Sequence, residues 1–114
     1  MHGLTVRWSL ADARPEALDE LRSHVEDFSF SQFAGLDGLR FKSWRARPSE
    51  WFEGSYVFAS PAARDAFQAD FEPAAAESPG SRIIGSPPIL IEACEIVAVV
   101  RGPSGFRSSP TFER

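Results

Sequence analysis

Trp44 and Tyr56 are the residues whose types and spacing most suggest a ligand site in this sequence. In the run Leu39 to Ala46, LRFKSWRA, side chains alternate, with Leu39, Phe41 and Ser43 on one side and Arg40, Lys42 and Trp44 on the other. A second alternating run, Ser55 to Ala59, follows the polar connection RPSEWFEG, in which Pro48 and Gly54 punctuate a turn. A hairpin folded symmetrically about Glu50 sets Trp44 opposite Tyr56 and Lys42 opposite Phe58, with Phe41 and Val57 on the other face. One surface then carries Trp44, Tyr56 and Lys42. Indole and phenol each join a polar atom to an apolar body, which suits a site that stacks a flat ligand and hydrogen-bonds its oxygen. The alternative is cross-strand aromatic packing in a dimer interface, and Trp8 carries the same two readings. Trp51 and Phe52 fall in the hairpin loop, where aromatics pack on a partner or a lid.

Two titratable residues are candidates for moving a proton. His24 lies at the edge of the apolar stripe of the first helical segment, where it either serves as a base toward a pocket or sits idle at the core rim. Asp70 falls within the stripe of the second, among Ala63, Ala66, Phe67 and Ala74, and a carboxylate there is costly unless paired or wet. If Pro73 ends that helix early, Asp70 turns to solvent instead. Glu92 and Glu95 resemble a carboxylate pair, but their odd spacing on a strand sends them to opposite faces. With only His2, His24 and the lone Cys94 beside the carboxylates, the chain has no metal-ligand motif. Walker loops, dinucleotide glycine fingerprints, CxxC pairs and nucleophilic triads are also missing.

These residues need elements to position them. Leu4 to Leu10 alternates as a half-buried strand, with Leu4, Val6, Trp8 and Leu10 inward. Pro15 suits a first helical turn, and Leu18, Leu21, Val25 and Phe28 form one stripe that predicts a helix fading near Ser29, because Phe30 and Phe33 would point away from it. Ser60 and Pro61 offer an N-cap and first residue for the second helix, whose apolar face holds Ala63, Ala66, Phe67, Phe71 and Ala74 and which Pro73 should break. Ser78 to Pro88 reads as a connection with a short extended piece around Ile83 and Ile84. Ile89 to Val100 is apolar on both faces, as in a strand covered on both sides. The resulting order is β, α, β, β, α, β: a ferredoxin-like α+β domain over residues 1–101, with an antiparallel sheet, followed by a loosely ordered tail, 102–114. Helices cover one sheet face only, so a homodimer joined through the other is expected.

Composition agrees with one small domain. In 114 residues, ten Phe, three Trp and one Tyr supply more apolar bulk than a single small core needs, which points to an aromatic cavity or a subunit interface. The formal charge of -4, without any basic block, argues against a nucleic-acid partner. One cysteine and the lack of a signal-peptide core or long apolar span give the expectation of a cytoplasmic protein with no membrane partner.

The stretch GLRFKSWRARPSEWFEGSYVFASPAARDAF, followed by IIGSPPILIEACEIVAVV, resembles the YdhR-like monooxygenases of the dimeric α+β barrel superfamily, beside the antibiotic biosynthesis monooxygenases. The likeness spans about residues 4 to 101 and rests on four features. They are a Trp late in the second strand, a Gly-x-Tyr-x-Phe strand, a small-residue helix start, and Gly-x-Pro-Pro before the last strand. The resemblance implies a dimeric barrel and, by analogy, a cofactor-independent monooxygenase acting on an aromatic or polycyclic phenolic molecule. In such a reaction the substrate loses a proton and its own anion meets oxygen. The residues expected to carry it are His24, Asp70 and Tyr56 for proton transfer and hydrogen bonding, with Trp8, Phe28, Trp44 and Phe67 lining the substrate. Neither metal nor other cofactor is expected. The same fold also hosts non-catalytic small-ligand-binding modules and haem-degrading proteins, the latter with His24 as axial ligand.

Overall fold

Antiparallel pairing places four strands in one sheet of order β2-β3-β1-β4 in the computed structural model, which describes residues 1–106. The strands are β1 (His2–Ser9), β2 (Leu39–Arg47), β3 (Trp51–Phe58) and β4 (Leu90–Glu95). Helices α1 (Ala17–His24) and α2 (Phe30–Ala34) flank a π-helical turn at Val25–Ser29, and α3 (Pro61–Ala74) and α4 (Pro79–Ile84) flank a 3-10 turn at Ala75–Glu77. This is the expected ferredoxin-like α+β architecture. Leu4, Val6, Trp8 and Leu10 on one sheet face form the core with Leu21, Val25, Phe52, Tyr56, Phe58 and Ile84. No helix among the described residues is long and apolar enough to cross a membrane.

The hairpin turns two residues tighter than a fold about Glu50. β2 continues through Arg47 and β3 begins at Trp51, with Glu50 N–H bonding to the Arg47 carbonyl at 2.9 Å. Pro48 takes the second turn position and Ser49 the third, in the left-handed region at φ 66°. Lys42 therefore faces Tyr56 and Trp44 faces Gly54. Because the shift is even, every side chain keeps its expected face. Leu39 is the exception: an irregularity between Leu39 and Phe41 puts Leu39 opposite Phe58 and Phe41 opposite Val57, on different faces. Trp51 and Phe52 are strand residues, not loop residues.

The first helix does not fade at Ser29. In the π turn the Phe30 N–H bonds back to the Val25 carbonyl, which adds one residue to the turn and keeps residues four apart in line. Leu21, Val25 and Ser29 are buried in succession, and Phe33, on the same line, reaches the sheet. The expected stripe member Phe28 is rotated outward and is 64% exposed. Pro73 neither breaks nor ends α3, which runs to Ala74. Its inward face centres on Phe67 and Phe71 with Arg64 and Gln68 half-buried on the far flank, so Ala66 and Asp70 on the near flank are exposed.

The segment Ser78 to Pro88 contains a helix, not an extended piece. The Ser78 hydroxyl accepts from Ser81 N–H, Pro79 follows, and Gly85 ends the helix at φ 89°, repeating the Ser-Pro start that Ser60 and Pro61 give α3. β4 is shorter than Ile89 to Val100: its pairing ends where Ile96 N–H meets the Met1 carbonyl, and Val97, Val99 and Val100 beyond it are exposed. Glu92 and Glu95 do lie on opposite faces, across from Thr5 and His2.

The sheet face away from the helices is not uniformly apolar. Glu53 is 2% exposed there, accepting hydrogen bonds from Arg7, Arg45 and Ser55, and both guanidinium groups lie over the Trp51 ring. Burial alone would raise the Glu53 carboxyl, but the bonds from Arg45, Arg7 and Ser55 outweigh it and hold the group below its ordinary value. Phe106 packs on Phe41 on this face, with ring centroids 5.4 Å apart. The remainder of the expected tail, 107–114, lies outside the described residues.

The π turn makes a direct prediction. Leu21→Ala should cost about 2 to 5 kcal/mol by opening a core cavity, whereas Phe28→Ala should cost about 1 kcal/mol or less. Urea titration of both variants checks it, and equal losses would show that the helix continues in plain α register.

Candidate active site

A cavity of about 180 Å³ lies between the sheet and the helices. Its floor is Trp8 of β1, Lys42 and Trp44 of β2, and Phe52, Gly54 and Tyr56 of β3. The π turn supplies the near wall through Val25 and Ser29, flanked by His24 and Phe33, and α3 supplies Phe67 and Phe71. The start of α4 borders it with Ser78, Pro79 and Gly80. A buried relay fixes that border: Trp8 Nε1 donates to Ser81 Oγ at 3.0 Å, and Ser81 Oγ donates to the Ala75 carbonyl at 2.6 Å. A Cβ at Gly80 would come within 3.1 Å of the Trp8 ring, so the missing side chain is what lets α4 rest on the indole.

Lys42 is the centre of the site. Its Nζ donates to Tyr56 Oη at 2.9 Å and lies 3.3 Å from the centroid of the Phe33 ring, 4.2 Å from Tyr56 and 4.5 Å from Trp44. Three aromatic faces thus surround one nitrogen. No ion pair to Lys42 occurs among the described residues, and burial pushes its ammonium down to about 6 from the ordinary 10.5. Burial pushes the Tyr56 phenol the other way, above its ordinary 10. At neutral pH the pair is an amine beside a phenol, both uncharged. The ring faces favour a cation at the nitrogen, so a proton delivered there by an acidic ligand is well received. A Cβ on Gly54 would stand 3.4 Å from Lys42 Cε and 3.4 Å from the Tyr56 ring, so the glycine leaves free the volume next to the pair.

The residues expected at the site divide into two groups. Tyr56, Trp8, Trp44, Phe67 and His24 line the cavity. Asp70 does not, because the α3 face is centred away from it, and it is exposed. Phe28 is likewise excluded from the lining, rotated out by the π turn, and instead packs on His24 with ring centroids 5.3 Å apart. The expected grouping of His24, Asp70 and Tyr56 is therefore not assembled. The ionisable cavity residue outside that expected grouping is Lys42, and the sequence holds a signal for it: it is the only lysine, among eleven arginines. Arginine stays charged at any accessible pH, whereas lysine can lose its proton on burial. Among the described residues no group of three or more His, Cys, Asp or Glu side chains converges as a metal site would require.

No protein-family model matches the chain. No curated protein matches it in sequence either. Its backbone does match solved structures. NE2512, a protein of unknown function from Nitrosomonas europaea, superposes with a TM-score of 0.62 at 22% identity, over 89% of this chain and 93% of that one. Rv0793 from Mycobacterium tuberculosis gives 0.53 at 15% identity, over 86% and 96%. A protein from Chloroflexus aurantiacus J-10-fl, provisionally described as an antibiotic biosynthesis monooxygenase, gives 0.50 at 16% identity, over 87% and 95%. What they share with this chain is the fold. At these identities the matches carry no site residue across.

The buried amine predicts how stability varies with pH. With the folded-state value near 6 and the unfolded one near 10.5, the unfolded chain binds the extra proton between those limits. Stability from this group therefore rises with pH across that window, by about 1.4 kcal/mol per unit. His24 and Tyr56 are the other titratable groups lining the cavity. Between pH 7 and 9, wild type should gain about 2 to 3 kcal/mol relative to Lys42→Met in urea titrations, and parallel profiles would show that Lys42 stays protonated when folded.

Proposed function

We propose that this protein binds a flat, weakly acidic aromatic molecule in the cavity and takes its proton on Lys42, as a cofactor-independent monooxygenase of the dimeric α+β barrel superfamily. The observation that carries the reading is the uncharged Lys42–Tyr56 pair, 2.9 Å apart, in an aromatic cavity. The fold likeness to the Chloroflexus protein and the sequence resemblance to the YdhR-like family support the choice of oxygen chemistry. Lys42 takes the role first assigned to His24 or Asp70, and Tyr56 hydrogen-bonds the ligand oxygen.

Magnitudes narrow the ligand. A simple phenol ionises near 10, so giving its proton to an amine near 6 costs about 5 kcal/mol before any gain from the ion pair. A phenol acidified by electron-withdrawing groups at its ortho carbons, ionising near the amine, transfers it almost freely. A cavity of about 150 Å³ holds benzene, so 180 Å³ takes one substituted ring, and any further ring of a polycyclic substrate must extend through the mouth beside α4. A volume of this size favours a one-ring ligand over haem bound at His24.

The oxygenation balances without a further reductant. Lys42 takes the phenolic proton, dioxygen adds to the ring carbon that bears hydrogen para to the oxygen, the peroxide anion takes the proton back from Lys42, and the hydroperoxide loses water as the carbonyl forms. One oxygen atom enters the ring, the other leaves as water, and the product is a quinone. The protein acts as a homodimer in the cytoplasm in this reading. The exposed Leu90, Val97 and Val99 and the uncovered sheet face support association, and a lone cysteine suits a reducing compartment.

Oxygen uptake by the metal-free protein with one-ring phenols that carry electron-withdrawing groups ortho to the hydroxyl and hydrogen para to it is the test. Lys42→Met should lower kcat by about 10²-fold to 10⁴-fold, and Tyr56→Phe should cost roughly 1.5 to 3 kcal/mol in kcat/KM. Ligand binding without uptake would leave a non-catalytic binding module. Light scattering at micromolar concentration should show a dimer, and a monomer would remove the association.

A further inference from the structure

We infer that Lys42 is also a nucleophile: the cavity is built to condense this amine reversibly with a small one-ring aldehyde or ketone, giving an imine and water. Four observations converge. Lys42 is the only lysine of the chain, beside eleven arginines, which unlike lysine keep their charge when buried. Burial without an acidic partner among the described residues leaves its nitrogen a lone pair to offer at neutral pH, and the three ring faces beside it stabilise the cationic nitrogen that attack creates. The Tyr56 hydroxyl at 2.9 Å is a protonated phenol next to that nitrogen. The missing side chain at Gly54 leaves space beside Lys42 Cε and the Tyr56 ring, where a carbonyl carbon must stand to be attacked.

The step closes in atoms and electrons. The Lys42 lone pair forms a bond to the carbonyl carbon, and the C=O π pair moves to oxygen, which takes a proton from the Tyr56 hydroxyl. The nitrogen gives a proton back to the tyrosine oxygen, leaving a neutral carbinolamine. Tyr56 then protonates the departing hydroxyl, the C–O bond breaks, water leaves, and nitrogen closes the C=N bond and returns its last proton to Tyr56. Nothing is oxidised or reduced. An apolar cavity favours the imine by holding water away from it. The inference uses the same cavity as the proposed function but needs no oxygen, so oxygen uptake and imine formation succeed or fail separately.

Benzaldehyde with cyanoborohydride tests it, because hydride converts the imine to a stable benzylamine that peptide mass spectrometry locates. At pH 7 about nine-tenths of an amine ionising near 6 is free base, against under one in a thousand for ordinary lysine. The expected result is a single benzyl group on Lys42, added roughly 10²-fold faster than on Nα-acetyl-lysine, with the rate falling below pH 6. Tyr56→Phe should keep the label but slow it about 10²-fold, the low end for loss of a proton donor. Lys42→Arg, which keeps a basic side chain there, should lose it while circular dichroism shows the fold intact. Label confined to the Met1 amino group, or a Lys42 rate equal to that of the free amino acid, overturns the inference. An unchanged rate in Tyr56→Phe overturns the role given to the phenol.

Discussion

Pairing of Arg47 with Trp51 across the short Pro48–Glu50 turn decides what each face of the sheet carries. From that pair inward, the period of two sends Lys42, Trp44, Gly54 and Tyr56 toward the helices and Arg45, Glu53 and Ser55 away from them. A slip of one residue would exchange the two sets, putting Glu53 under the helices and Lys42 in the open. Each set penalises that exchange. Glu53 is satisfied only where Arg7 of β1 and Arg45 of β2 both reach it, and the Lys42 stem and its neighbouring rings need the cover of Phe33 and Phe67. The ion cluster on one face and the aromatic cavity on the other thus enforce the same register.

The helical layer completes the cavity through two local departures from a plain α-helix. The π turn at Val25–Ser29 lets Leu21, Val25, Ser29 and Phe33 face the sheet in sequence, and Phe33 is the ring nearest the amine. The short α4, capped by Ser78 and tied to Trp8 through Ser81, sets the mouth. π turns concentrate at functional sites because they re-aim side chains without ending the helix. Here the re-aimed residue is one wall of the box around Lys42.

Much of this was legible in the sequence, and the failures share physical causes. Alternation gave the face of each strand, and the Ser-Pro start gave α3, because both are local rules. The hairpin register was misplaced by two residues, since Pro48 and Gly54 both read as punctuation, whereas Gly54 lies within β3 opposite Trp44. Ideal helical spacing put Phe28 inside and Phe33 outside, and a π turn leaves no composition mark that would have warned of it. Asp70 was placed inward by including Ala66 and Ala74 in the stripe, but alanine pays little for exposure and so carries little information about orientation. His24 does reach the cavity wall, while nothing in the local pattern marks Lys42 for burial, since a lysine on a strand ordinarily snorkels to water.

A lysine buried among rings also alters how the whole molecule behaves in an electric field. The formal charge of -4 counts Lys42 as a cation, and with that amine unprotonated the chain is one unit more negative at neutral pH. The other eleven basic charges counted there are arginines, which stay charged at any accessible pH. At pH 7 the electrophoretic mobilities of wild type and Lys42→Met should therefore coincide. A ligand that gives its proton to the amine and stays bound as the anion would leave that mobility unchanged, since the pair enters the protein as a neutral molecule.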